Sequence, residues 1–128
     1  MATRHQVRQA VVSLLYAKEF SGENKDFLKD FLKEKKIKNE QERFTISLYE
    51  GILSNLEKLD ERVAKFLKED SLCEIDKAIL RLGAYELLYT DTQSAVVINE
   101  AVELAKELSY ENSAKFINAI LDSLSKSE

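Results

Sequence analysis

The chain contains no proline and only three glycines in 128 residues, and apolar side chains recur at helical spacing almost from end to end. That combination constrains the fold more than any motif does. A sheet protein of this size needs many hairpin turns, which draw on Gly, Pro and Asn-Gly pairs. A chain without them is built from long helices. Apolar residues make up 45%, a normal globular share, and at this length about two thirds of the unfolded surface can be buried. The expectation is an all-α fold: a single-domain helical bundle of six to seven helices over residues 1–128, with no repeat, linker or low-complexity tract.

Val7, Ala10, Val11 and Leu14 predict a first helix over about 4–20, ended by the segment around Gly22. Phe27, Leu28, Phe31 and Leu32 predict a second over about 24–36, whose lysines and acids read as a solvated face. Asn39 with Glu42 resembles a capping pair opening a long third helix, expected to break near Asp60. Ser71 and Glu74 have capping-box spacing and launch a helix running to about Tyr89. Helices over about 96–109 and 111–125 complete the chain, with Ser109 expected to cap the last.

Charge and cysteine usage narrow the function. Net charge is −4, divided as nine Lys/Arg against six Asp/Glu over 1–40 and ten against seventeen over 41–128. A general, sequence-blind nucleic-acid binder is normally basic overall, because phosphate neutralisation supplies most of its affinity. Any RNA contact here comes from a local patch. One cysteine, Cys73, fits a reducing compartment. No stretch reaches the ~18 apolar residues of a membrane span, and the first residues lack the apolar run of a secretory signal. A cytoplasmic protein with no membrane association is expected. With one histidine, a histidine-based metal cluster or triad has no ligands to draw on. Phosphate-loop, Cys-x-x-Cys, His-Glu-x-x-His and nucleophile-elbow patterns are missing. The expectation is a binding protein, not an enzyme, with no cofactor.

Three groups of residues stand out. Arg4, His5 and Arg8 fall within about 100° of arc at the start of the first helix, opposite its apolar stripe, with Tyr16 projecting from a similar direction. Cations beside an aromatic can hold phosphates and stack a base; a solvated amino terminus is the plainer alternative. In the last helix Phe116 lies off the apolar stripe beside Asn112, Lys115 and Ala119, either a filler at the edge of the core or a stacking platform. The 75–89 helix carries apolar residues on two arcs. It either sits centrally in the bundle or turns one face to a partner. Glu86 lies inside one of those arcs and either caps, pairs with a cation or receives a partner's donors, since an unpaired buried charge is costly.

The run Ile75-Asp76-Lys77-Ala78-Ile79-Leu80-Arg81-Leu82-Gly83-Ala84-Tyr85-Glu86-Leu87-Leu88-Tyr89 resembles the signature segment of the bacterial NusB family. So do the 97–106 segment and the closing run Asn112-Ser113-Ala114-Lys115-Phe116-Ile117-Asn118-Ala119-Ile120-Leu121-Asp122. The resemblance implies a free-standing transcription antitermination factor. Such a factor binds boxA-type single-stranded RNA of rRNA transcripts with the small-subunit ribosomal protein NusE, in an RNA polymerase antitermination complex. It further implies RNA contacts from Arg4, His5, Arg8 and Tyr16 and from Asn112, Lys115, Phe116 and Asn118. Asp76, Tyr85 and Glu86 match the surface that receives NusE. His5 and Gln6 stand where many members have arginine, so RNA affinity should lean more heavily on the partner. A helical adaptor that binds protein without touching RNA is the alternative.

Overall fold

The computed structural model describes residues 2–21, 25–67 and 72–127. Among them lie seven helices and no strand: α1 (Arg4–Ser21), α2 (Lys25–Glu34), α3 (Asn39–Ser54), α4 (Leu56–Ala64), α5 (Glu74–Tyr89), α6 (Ser94–Leu108) and α7 (Ser113–Lys126). The expected capping role of Ser71 lies outside the described residues.

The bundle is organised around α5, which packs against α1, α3, α4, α6 and α7. Its two apolar arcs have the central-helix meaning: residues 78 to 84 are all buried, Ala84 on one side as completely as Ile79 on another. Gly83 permits this crowding, because a Cβ there would lie 2.7 Å from Leu121 Cδ1 on α7. Val7, Val11 and Leu14 of α1 join Ile52, Leu59, Ile79, Leu104, Ile117 and Leu124 in one core. A smaller cluster of Ala2, Ala10, Leu32 and Ile37 seats α2 on the outer side of α1.

Local chemistry sets the helix ends. After α2 the Ile37 N–H bonds the Leu32 carbonyl at 3.0 Å and the Lys36 N–H bonds that of Lys33 at 3.1 Å. With Lys36 at φ 59° this is a Schellman stop, sealed by burial of Leu32 with Ile37. The break in the long third helix falls at Asn55, not near Asp60. The Asn55 side-chain amide donates to the Gly51 carbonyl at 2.8 Å and takes over an acceptor of the helical ladder, a competition for which asparagine is suited. Asp60 lies inside α4. Lys38, not Asn39, holds the cap position of α3; Asn39 adopts φ 56°. Nor does Ser109 cap α7, since its hydroxyl is committed to Asp76.

Candidate nucleic-acid and partner interface

The residues singled out at the start of α1 diverge. Arg4 is exposed and lies over the Phe44 ring of α3, 4.1 Å from its centroid. His5 turns the other way, towards α6: its Nδ1 is 2.5 Å from Glu100 Oε2, and its Nε2 meets a carboxylate oxygen of Glu107. Gln9 donates to the second oxygen of Glu107. Burial alone would lower the His5 pKa, but the hydrogen bonds of Glu100 and Glu107, reinforced by their charge, outweigh it and raise the pKa above its ordinary value.

Arg8 requires a correction. It does not lie opposite the apolar stripe; it is 5% exposed and points into the bundle. Its Nε donates to Glu86 Oε1 at 2.8 Å and its Nη2 to Oε2 at 2.9 Å, a bidentate pair joining α1 to α5. Those bonds to Glu86 raise the Arg8 pKa against the opposing effect of burial. Glu86, at 2% exposure, therefore has an internal cation as its partner and presents no carboxylate to a docking protein.

Asp76 is likewise turned inward. One carboxylate oxygen accepts from the Ser109 hydroxyl at 2.5 Å and the other from Ser113 at 2.9 Å, while the two hydroxyls lie 3.0 Å apart. This network ties the first turn of α5 to the α6–α7 connection and to the first residue of α7. Of the three α5 residues matched to a partner surface, only Tyr85 keeps part of its ring outside the core. It stacks on the exposed Tyr89, centroids 5.3 Å apart, and its ring occupies the space a Cβ at Gly51 would fill.

The clamped start of α7 presents the second group together. Asn112, Lys115, Phe116 and Asn118 are all exposed. Phe116, at 36% exposure, is a ring at the edge of the core with a face open to solvent. Tyr16 lines a groove of about 640 Å³ between α1, the 73–75 segment and the 108–110 segment. Thus α1 and α7 both rest on α5, and the serine pair at 109 and 113 links the Tyr16 groove to the start of α7. Tyr16 and the 112–118 face are joined through one hydrogen-bonded corner; Arg4, over α3, lies apart from them.

Sequence reasoning missed several participants. Arg81, buried on α5, donates from Nε and Nη2 to Asp60 at 2.9 and 2.8 Å and from Nη1 to Glu19 at 2.9 Å, fastening α1 and α4 to α5. Asp60, then Glu19, push its pKa up despite burial. Phe20 and Tyr110, 64% and 72% exposed, line the groove with Tyr16. Their polar neighbours were the available signal. Among the described residues, no helix is long and apolar enough to cross a membrane.

Comparisons with known proteins agree with this architecture. A family model described as the NusB family matches residues 5–126. The transcription antitermination protein NusB of Campylobacter lari is 58% identical over 98% of both chains. That of Campylobacter hominis is 51% identical over the same shares. Among solved structures, antitermination factors NusB and NusE in complex with dsRNA match with TM-score 0.87 at 28% identity, covering 98% of this chain and 97% of that one. NusB of T. maritima matches with TM-score 0.86 at 34% identity, covering 100% and 94%. The chain belongs to the NusB family, whose named relatives here are transcription antitermination proteins.

Proposed function

We propose that the chain is a cytoplasmic, non-catalytic transcription antitermination factor that binds boxA-type RNA of rRNA transcripts together with NusE. The pair would act within the RNA polymerase antitermination complex and keep rRNA transcription processive. RNA lies on the corner formed by the Tyr16 groove and the start of α7. Tyr16 and Phe116 stack bases, Lys115 takes phosphate, and Asn112 and Asn118 supply hydrogen bonds. Arg4, over α3, would meet RNA only beyond this corner, and His5 is engaged by Glu100 and Glu107. Arg8, spent on Glu86, acts by holding α1 in place, and Asp76 by holding α7. NusE meets the outer face of α5 around Tyr85 and Tyr89.

The observation that carries this reading is the exposed aromatic-and-cation face at the start of α7, held to the groove of Tyr16 by Asp76, Ser109 and Ser113. The structural likeness to a NusB that was solved with NusE and dsRNA supports it. A gel-shift assay with boxA RNA and a scrambled RNA, each with and without NusE, tests it. Selective binding that strengthens with NusE is expected, and Phe116→Ala should weaken it by ~1–3 kcal/mol. Equal shifts for the two RNAs, with NusE present, would reject it.

One observation favours the alternative of a protein-binding adaptor without RNA contact. Two of the four side chains proposed on α1, His5 and Arg8, are already paired to carboxylates. Capture of NusE with no RNA shift under any condition is what that alternative requires.

A further inference from the structure

Beside Tyr16 the groove carries two aromatics that neither the family resemblance nor the reading above uses. Phe20 lies one turn after Tyr16 on α1, with ring centroids 4.8 Å apart and planes tilted by 54°, so the two form one aromatic wall. Tyr110 comes from the α6–α7 connection. Exposed rings this large are informative when they gather in one concave place. The groove, about 640 Å³, falls in the size range of small-molecule sites. It is also held in shape. The Ser113 N–H bonds the Tyr110 carbonyl at 3.0 Å, and the neighbouring Ser109 is tied to Asp76.

The groove is not uniformly apolar. Ser13 and Glu74 line it too; Glu74 Oε1 lies 3.6 Å from Lys77 Nζ, while its buried Oε2 has no hydrogen-bond partner. An unsatisfied carboxylate oxygen calls for a donor, and the terminal torsion of a glutamate is soft enough to turn it towards one. An apolar side chain filling the groove would leave that buried oxygen unpaired, whereas a donor brought into the groove satisfies it. A flat ring with polar edges satisfies both walls and floor.

We propose that Phe20 and Tyr110, with Tyr16, form a subsite that clamps one unpaired base of the bound RNA, with Glu74 favouring a base that carries an amino group. This deepens the RNA-binding reading and rests on it. Adenine, cytosine and guanine each bring an exocyclic N–H₂ to the carboxylate. Uracil presents a single N–H between two carbonyl oxygens that the carboxylate repels. The subsite continues from the α7 face through the Ser109–Ser113 corner, so one strand can reach both.

The test uses the full chain with NusE and a labelled single-stranded boxA-type RNA, read by fluorescence anisotropy. The RNA is varied by placing one abasic nucleotide at each position in turn. Phe20→Ala and Tyr110→Ala are each expected to weaken binding about 10-fold, with melting temperatures near wild type because both rings are exposed. One abasic position should cost the wild type a similar factor and cost the variants little more. At that position uridine should bind more weakly than adenosine, a difference that Glu74→Ala removes. Full affinity in both aromatic variants, while Phe116→Ala binds weakly, overturns the subsite and leaves the RNA reading standing. Loss of NusE affinity in these variants with intrinsic RNA affinity unchanged also overturns it, making the groove a protein-docking surface. A wild type that binds none of the RNAs removes the RNA reading and the subsite together.

Discussion

At the scale of single residues, the most consequential finding is that Arg8 and Glu86 are each other's partners. The pair is bidentate and both groups are buried, so removing one partner strands a charge in the interior. Arg8→Ala or Glu86→Ala is expected to cost ~3–5 kcal/mol in urea unfolding, while Arg8→Met with Glu86→Leu should restore most of it. Additive losses in the double variant would contradict the pairing. His5 gives a signed pH effect. Its pKa is raised in the folded chain, so its contribution to stability is fully present below its unfolded pKa and disappears as pH rises through the folded value. The melting temperature of the wild type should therefore fall relative to His5→Gln across that window, and parallel curves would show that His5 contributes no such effect. A helical wheel could not reveal either pairing. It reports direction around one helix axis, whereas Arg8 and Glu86 are separated by 78 positions and His5 and Glu107 by 102. The wheel thus set Arg8 among solvent-facing cations, although the apolar position of Glu86 had already signalled the need for a cap, a cation or a partner's donors.

At the scale of elements, α5 was the most legible part of the chain, because two apolar arcs on one helix require neighbours on more than one side. Helix stops fixed by local backbone chemistry were less so. The break at Asn55 depends on a side-chain bond to Gly51, and Ser109 looked like a cap until Asp76, 33 positions away, claimed its hydroxyl. Asp76→Ala leaves Ser109 and Ser113 without their shared acceptor, which should cost ~1–3 kcal/mol and speed amide hydrogen exchange at the start of α7. RNA affinity should drop as well, although Asp76 is buried; unchanged exchange at 109–116 would deny the carboxylate its anchoring role. Gly51→Ala drives a methyl into the Tyr85 ring and should destabilise by ~1–3 kcal/mol. Because Tyr85 stacks on Tyr89, NusE binding should weaken with it, a coupling that calorimetric titration can read.

At the scale of the whole molecule, a chain of net charge −4 would, under the proposed function, hold RNA by a few stacked rings and local cations, since Arg8 and Arg81 are turned inward to join helices. Shape and stacking, more than phosphate neutralisation, then govern affinity, and the salt dependence should be shallow compared with that of a basic RNA binder. The most direct measurement is photo-crosslinking of boxA RNA to the full chain with NusE present, followed by peptide mapping. Crosslinks are expected at Tyr16 and within 109–118, with none on α4. Crosslinks confined to α4 or the outer face of α5, with the α7 start untouched, would contradict the placement of RNA at the corner of α1 and α7.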